Sequence, residues 1–174
     1  LGSKLDGKYC GTLGDMGTFS FFPSHAISTG EGGMLVTNND EYAELARRLR
    51  NHGKTSPAEF HFDVIGFNGK MTSLQAAVGI SLMDDLPAIL EKRRKNYLFL
   101  GGREDEGVSV VPHGFPFYTP GRDQVRKDLA GLGIESRTTF SSIPTQEEAY
   151  RFLGYPLGMF HEAEWHGEFG CLQS

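Results

Sequence analysis

The chain has 174 residues, of which 39% are hydrophobic and 22% are charged, and its formal net charge is -5. This length suffices for a domain with a core of its own, and equally for a piece of a larger protein. The acidic balance provides no basic field for phosphate backbones or anionic lipid, so nucleic acid is excluded as an expected partner.

The cysteines, apolar runs and histidines exclude further classes. Cys10 and Cys171 lie at opposite ends of the chain with no paired spacing, which indicates a reduced, cytoplasmic protein. No apolar run reaches the roughly 18 residues that a transmembrane helix requires, so we expect no membrane partner. The six histidines lack the spacing of metal ligands, and no metal site is predicted.

The predicted elements begin after a glycine-rich stretch, residues 1–17, that has the composition of a long loop. Two runs of β-branched, aromatic and aliphatic residues, 18–22 and 33–38, are typical of buried strands. The segment between these runs carries His25. A helix follows, with an Asn or Asp cap at its start, acidic residues in its first turn and a stop at Gly53.

Helical spacing returns after a polar and aromatic loop, residues 54–70, that is long enough to indicate a functional role. Thr72 is placed to cap a helix over "MTSLQAAVGISLMDDL", and a second helix restarts at Pro87. Within this second helix lies the basic run "EKRRKN", residues 91–96. Acidic residues flank the run, so we interpret it as a solvated helix face rather than a binding patch.

The composition changes again beyond Gly101. Two short strand-like runs, a helix over "RDQVRKDLAGLG" and the strand-like "IESRTTF" give the order β-β-α-β. We therefore predict two domains, a partial large α/β domain over residues 1–100 and a small α+β domain over residues 101–174. The final "HEAEWHGEFGCLQS" shows no closing helix or strand, and we expect both ends to be those of a piece of a longer protein.

Several linked motifs along the chain resemble a known family. They are "GDMGTFSFFPSHAISTGEGGMLVTNND", "LRNHG", "GFNGKMTSLQAAVG" and "RRKN", with a looser match at "GRDQVRKDLAGLGIESR". Together they resemble the DegT/DnrJ/EryC1/StrS sugar-nucleotide aminotransferases, pyridoxal phosphate (PLP) enzymes with the aspartate aminotransferase fold. The resemblance implies an α/β chain that comprises part of a fold-type I PLP-transferase large domain, which binds the cofactor, followed by the small C-terminal α+β domain.

His25 stands where members of this family usually have the lysine that forms the internal Schiff base with the cofactor aldehyde. An imidazole forms no stable Schiff base, but it can transfer protons near neutral pH. A histidine at this position resembles the 3-dehydratase branch, which binds pyridoxamine phosphate (PMP) noncovalently and deoxygenates C3 of a nucleotide-linked 4-keto-6-deoxyhexose. Without the surrounding motifs, His25 would be interpreted as an ordinary loop histidine.

The resemblance also implies two cofactor-binding residues. Ser20 lies five residues before His25, where the family uses a serine hydroxyl on the cofactor phosphate; the alternative is an ordinary strand serine. Asn68 matches the asparagine that reaches the cofactor phosphate of a neighbouring subunit, which implies a homodimer. The alternative for Asn68 is turn chemistry beside Gly69.

Three functional interpretations follow. The first is a PLP- or PMP-dependent sugar-nucleotide enzyme whose parent is a 4-keto-6-deoxyhexose 3-dehydratase acting on a nucleotide-linked sugar. The second is an aminotransferase relative that lost its lysine, and the third is a non-catalytic folded or dimerising remnant. Three features of the family have no counterpart in this sequence: the aspartate for the pyridine nitrogen, the N-terminal phosphate loop and the aromatic ring that covers the cofactor. We therefore expect the 174-residue chain alone to be inactive.

Overall fold

A computed structural model describes residues 1–56, 58, 60–140 and 142–173. The chain divides into two compact units, the first from Leu1 to His113 and the second from Gly114 onward. The division near residue 100 stays a prediction. Residues 57 and 59 of the predicted functional loop, and the final residue of the predicted C-terminal segment, lie outside the described residues.

The described part of the first unit contains five short strands and three helices. The strands are β1 (Lys4–Leu5), β2 (Lys8–Tyr9), β3 (Gly17–Ser20), β4 (Gly33–Val36) and β5 (Val108–Ser109), and the helices are α1 (Asp40–Arg50), α2 (Ser73–Ser81) and α3 (Leu86–Phe99). β1 pairs antiparallel with both β2 and β5, and β3 pairs antiparallel with β4. By its hydrogen bonds, β5 therefore belongs to the first unit.

The β3–β4 loop, which carries His25, folds back on its own base. The Phe21 amide donates to the Gly32 carbonyl, and the Thr29 amide donates to the Phe21 carbonyl, each at 2.9 Å. Ile27 and Thr29 are buried within the loop. These contacts fix both ends of the segment that presents His25, so its turn is an ordered extension of the hairpin.

Local capping explains where the helices begin. Asn39 caps α1 by accepting a backbone amide hydrogen, and Thr72 forms a capping box with Gln75 at the start of α2, as predicted. α3 begins at Leu86, directly before the predicted start at Pro87. A proline in the first helical turn loses no intrahelical hydrogen bond, which explains its place there.

The first 17 residues contain more regular structure than the predicted loop. β1 and β2 form a tight hairpin whose turn holds Asp6 and Gly7 at positive φ angles of 49° and 78°. Glycine adopts this left-handed conformation without steric cost, and aspartate tolerates it better than most residues. Strands of two residues are too short to produce an alternating pattern, which is why the sequence did not indicate them.

The second unit is built around an antiparallel sheet. Its described elements are β6 (Phe115–Tyr118), α4 (Arg122–Gly131), β7 (Ser136–Thr138), two 3-10 helices (Pro144–Gln146 and Glu148–Leu153), α5 (His161–Phe169) and β8 (Gly170–Gln173). The strand order is β6-β8-β7, and both pairings are antiparallel. The last strand is therefore the central one, and its Cys171 is fully buried.

The prediction that the chain ends without a closing helix or strand is wrong. α5 and β8 occupy residues 161–173, and β8 completes the sheet of the second unit. The short "GCLQ" run of β8 has no alternating pattern of its own. It is a strand because β6 and β7 pair with it from both sides, a non-local cause that sequence periodicity does not reveal.

Few large apolar side chains are buried among the described residues. Of the hydrophobic residues there, Ile27 and Cys171 are buried, whereas Phe60, Ile65 and Phe99 are 86%, 90% and 89% exposed. Isolated exposed apolar residues are normal on protein surfaces, but exposure on this scale is typical of surface that another polypeptide covers.

In the described part of the chain, no single helix is long and apolar enough to cross a membrane. Only α2 and α3 taken together have that length and apolar composition, and they are bent by 65° at the break between them. No group of three or more His, Cys, Asp or Glu side chains within the described ranges is arranged to hold a metal ion. Cys10 and Cys171 are both free thiols.

Candidate functional site

A cavity of about 310 Å³ lies beside the loop that carries His25. Ser20, at the end of β3, and His25 both line this cavity, so the structure brings two of the three predicted site residues together. Arg93 from α3 and His113, which follows β5, line it as well. All four residues belong to the first unit.

Ser20 stands where β3 ends and the loop begins. Its Oγ accepts a hydrogen bond from the Phe22 amide at 3.2 Å, which leaves its own hydroxyl hydrogen available to an anionic oxygen. The side chain is exposed. Phosphate sites recruit hydroxyls and turn amides of this kind, so the position suits the predicted phosphate contact, which itself stays a prediction.

His25 is half-buried, and its backbone amide donates to the Phe22 carbonyl at 3.0 Å. The centroid of its ring lies 4.8 Å from that of the His113 ring, with 46° between the two planes. No lysine is among the described residues that line the cavity. The wall therefore offers an imidazole that can accept or donate a proton, and no side-chain amine for a Schiff base.

Arg93 connects the His25 turn with the segment that carries His113. Its Nη2 donates to the carbonyl oxygen of Ser24 at 3.3 Å. Its Nη1 donates to the carbonyl oxygens of Pro112 at 3.4 Å and His113 at 2.7 Å. One planar guanidinium thus bonds the backbone of both segments that carry the two imidazoles.

The interpretation of residues 91–96 as a solvated helix face is wrong for Arg93. This side chain is half-buried, as are Ile89 and Tyr97, which lie four residues before and after it on α3. Residues at this spacing share one face of a helix, here the face turned toward the rest of the unit. Ile89 and Tyr97, four residues before and after Arg93, could have indicated in the sequence that Arg93 lies on a half-buried face. The run of basic residues around Arg93 favoured the other interpretation.

The segment that carries His113 is held from two further directions. The Val111 amide donates to Ser3 Oγ at 2.9 Å, and the Val110 amide donates to Glu104 Oε1 at 2.6 Å. Arg94 bonds both carboxylate oxygens of Glu104, at 2.9 Å and 2.5 Å. These hydrogen bonds lower the pKa of Glu104 from 4.5 to about 2, and those from Arg94 have a larger effect than the one from Val110.

Asn68 does not line this cavity. It is exposed, and its backbone forms an isolated bridge with Asn51 at the end of α1. Lys70 Nζ donates to the Asn51 side-chain oxygen at 3.1 Å, which draws the next part of the same loop to that helix end. The contact of Asn68 with the cofactor of a neighbouring subunit stays a prediction.

The cavity residues fit a phosphate-bearing pyridine cofactor. The Ser20 hydroxyl is a donor for a phosphate oxygen, and the His25 imidazole is a proton acceptor beside it. Phe19, Ile27 and Val111 contribute apolar surface to the same cavity, which suits an aromatic ring. The first unit therefore has a hydroxyl donor, an imidazole and apolar surface in one cavity, and all three are compatible with such a group.

Comparison with known proteins agrees with this chemistry. The chain matches the DegT/DnrJ/EryC1/StrS aminotransferase family over residues 1–167. It is 38% identical to GDP-perosamine synthase of Caulobacter vibrioides, over 80% of this chain and 42% of that protein. It is 37% identical to GDP-4-keto-6-deoxy-D-mannose 3-dehydratase of Yersinia pseudotuberculosis, over 99% of this chain and 52% of that protein. The chain spans about half the length of the curated relatives it matches.

Two solved structures share the fold of the chain. The E. coli GDP-4-keto-6-deoxy-D-mannose-3-dehydratase with bound hydrated PLP has a TM-score of 0.76 at 27% identity, covering 100% of this chain and 53% of that one. A GDP-4-keto-6-deoxymannose-3-dehydratase with a histidine-to-asparagine substitution and bound GDP-perosamine has a TM-score of 0.83 at 26% identity, covering 100% and 54%. These similarities confirm the predicted α/β fold class, that of the PLP-dependent aminotransferases.

Proposed function

Because the chain belongs to the DegT/DnrJ/EryC1/StrS aminotransferase family, we propose that it carries the acid–base residue of a vitamin B6-dependent sugar-nucleotide 3-dehydratase. The resemblance inferred from the motifs is thereby confirmed, and PLP or PMP is the cofactor expected in this family. The observation that carries the proposal is His25, an imidazole on the wall of a cavity whose described lining contains no lysine. The proposed substrate is a nucleotide-linked 4-keto-6-deoxyhexose.

In this proposal Ser20 and His25 divide binding and proton transfer between them. When bound, the cofactor would supply an amine for the C4 ketone of the sugar and a conjugated system through which the electrons of the C4′–H bond expel the C3 hydroxyl. Ser20 would hold the cofactor by donating its hydroxyl hydrogen to a phosphate oxygen. Neutral His25 removes a proton from the C4′ carbon of the cofactor, and the imidazolium then protonates the departing C3 oxygen.

The choice between dehydration and amination follows from the reach of the side chain at position 25. A lysine amine stands on a flexible four-carbon stem and can carry a proton between the cofactor carbon and C4 of the sugar. The imidazole of His25 has a shorter stem, and its ring already contacts that of His113. It is poorly placed to return a proton to C4, so elimination of the C3 hydroxyl outruns amination.

Two alternatives are each favoured by one observation. The 38% identity to GDP-perosamine synthase of Caulobacter vibrioides favours an aminotransferase relative that lost its lysine. The exposed apolar side chains favour a folded or dimerising chain without turnover. The dehydratase proposal differs from both in assigning a proton-transfer role to the His25 imidazole on the wall of the cavity.

Substitution of His25 tests the proposal. The chain is fused behind the N-terminal segment of the Caulobacter vibrioides GDP-perosamine synthase, which supplies the part of a relative that this chain does not span. With PMP, we expect His25→Ala to lower the dehydration rate by about 10²-fold, the usual size of a general acid–base contribution. We expect His25→Lys to shift the product toward the 4-amino sugar.

The control for these variants is His161→Ala, which removes an exposed imidazole from the second unit and leaves the cavity unchanged. It should retain the dehydration rate of the unmutated fusion. Undiminished dehydration by His25→Ala would show that the acid–base role belongs to another residue.

A further inference from the structure

We infer that Arg93 is a positioning residue that holds the His25 and His113 imidazoles in contact on the cavity wall. The inference rests on the proposed function of His25, because it states what fixes that ring for proton transfer. Arg93 does not need to touch substrate or cofactor in this role. It acts through backbone bonds to the two segments that carry the imidazoles.

The hydrogen bonds of Arg93 are suited to this task. Its three carbonyl acceptors belong to Ser24, directly before His25 in the chain, and to Pro112 and His113. A guanidinium presents its donors in a rigid plane, so bonds to both segments set the separation between them. A lysine ammonium is a single point of charge and has no comparable fork.

The surroundings of Arg93 make it a fixed support. The side chain is half-buried on α3, where water competes less for its donors than at a fully exposed site. On one side, Ser3 and Glu104 hold the segment of residues 110–113 through the backbone of Val110 and Val111. On the other side lies the His25 turn, which Arg93 bonds through Ser24.

The ring contact has a consequence for catalysis. Rings whose centroids are 4.8 Å apart are close enough that each limits the orientations open to the other, so the contact restricts how the His25 ring faces the cavity. Acid–base catalysis depends on such orientation, and a displacement of about 1 Å is enough to lower a rate by about 10²-fold. When the hydrogen bonds of Arg93 are lost, the turn that carries His25 is less restrained, and the orientation of the His25 ring is less fixed.

The direct test is the contact itself, measured without cofactor. In the 174-residue chain labelled with ¹³C and ¹⁵N, nuclear Overhauser cross-peaks between the His25 and His113 ring protons should be present. Arg93→Met keeps the apolar stem and removes every donor, and it should abolish these cross-peaks. The control Lys95→Met, on the same helix, removes an amine that bonds only Glu91 in the described structure, and it should retain them.

Arg93→Lys keeps the charge and most of the stem, so it disturbs folding least and serves as the second variant. It should also lose the ring cross-peaks, because one ammonium cannot bond both segments. Cross-peaks that persist in Arg93→Lys, or in a folded Arg93→Met, would overturn the inference.

Kinetics of the fused enzyme separate this inference from the proposed function. Arg93→Met should lower kcat for dehydration about tenfold with little change in KM, and should have no further effect when combined with His25→Ala. Full additivity of the two substitutions would contradict action through His25. Undiminished dehydration in His25→Ala together with lost ring cross-peaks in Arg93→Met would refute the proposed function and retain Arg93 as the residue that positions the ring.

Discussion

Under the proposed function, the side chain at position 25 decides whether the cofactor can be stored covalently. A lysine holds PLP as a Schiff base between turnovers, whereas the His25 imidazole can only hold or move a proton. The same exchange removes the amine that carries a proton to C4 of the sugar. Under the proposed function, this one difference changes both the resting state and the product.

This difference is directly measurable by chemical reduction. After incubation with PLP and borohydride, the chain should carry no stoichiometric pyridoxyl adduct on any lysine, because no lysine lines the described cavity. Mass spectrometry of tryptic peptides gives the location of any adduct. Surface lysines that react slowly and partially serve as the internal control, and a stoichiometric adduct on any one lysine of the chain would contradict the account.

Glu104 provides a pH-dependent test at another residue. Its pKa is lowered from 4.5 to about 2, first by the Arg94 side chain and then by the Val110 amide. Because the folded pKa is the lower one, the ion pair stabilises the chain above pH 4.5, and this contribution is lost as the pH falls from 4.5 toward 2. A ¹³C titration of the Glu104 carboxyl group should show a midpoint near 2.

The matched variants are Glu104→Gln and Glu106→Gln. Glu104→Gln should weaken the dependence of unfolding on pH between 4.5 and 2. Glu106→Gln removes a nearby carboxylate but keeps the bonds of Glu104 to Arg94 and Val110, so it serves as the control. A carboxyl midpoint for Glu104 at or above 4.5 would show that its bonds to Arg94 and Val110 do not persist in solution.

The turn that ends α1 depends on a glycine. Gly53 has a φ angle of +82°, and a Cβ there would lie 1.8 Å from the Val64 carbonyl oxygen. Gly53→Ala should therefore reduce the free energy of unfolding by about 2 kcal/mol or more, through both backbone strain and the clash. Gly101→Ala is the control, because its φ is +94° but the space around its Cβ is open.

Urea unfolding of both variants separates these two causes. Gly101→Ala reports the strain of a left-handed alanine alone, about 1 kcal/mol. Equal losses in the two variants would mean that the Val64 carbonyl moves aside, and that the close approach at Gly53 is not required by the fold.

Elements with local causes could be predicted from the sequence, and those with distant causes could not. The caps at Asn39 and Thr72 lie within a few residues of the helices they begin, so their spacing was visible in the chain. β8 is a strand because of partners more than 30 residues away, and its four residues carry no pattern. Tertiary pairing overrides weak local preference in such cases.

The candidate site shows the same division. Ser20 and His25 lie in one motif with fixed spacing, and they do line one cavity. Arg93 and His113 reach that cavity from α3 and from the segment after β5. The motif "RRKN" contains Arg93, but its spacing does not place it beside position 25, and none of the motifs shared with the family contains His113. Asn68, assigned from the same family motifs, does not line the cavity of this single chain.

The apolar surface of the chain predicts its behaviour in solution. Among the described hydrophobic residues, Ile27 and Cys171 are buried, and residues such as Phe60 and Ile65 are almost fully exposed. Burial of such side chains between chains is favourable at about 25 cal/mol per Å². We therefore expect the purified chain to associate with copies of itself at micromolar concentration.

Light scattering coupled to size-exclusion chromatography measures this association. The average mass should rise above that of a single chain as the concentration increases. Fusion to the N-terminal segment of a relative should change the assembly, because part of the exposed surface is then covered. A strictly monomeric 174-residue chain at high micromolar concentration would contradict the prediction.

The central claim is that His25 directs this chain toward dehydration, and one product analysis tests it most directly. The chain is fused behind the N-terminal segment of the Caulobacter vibrioides GDP-perosamine synthase, so that any dehydration must come from the residues of this chain. The fusion is then given PMP, L-glutamate and GDP-4-keto-6-deoxy-D-mannose. Mass spectrometry of the sugar nucleotides should show a 3-deoxy product as the main species, and a 4-amino sugar as the main product would contradict the account.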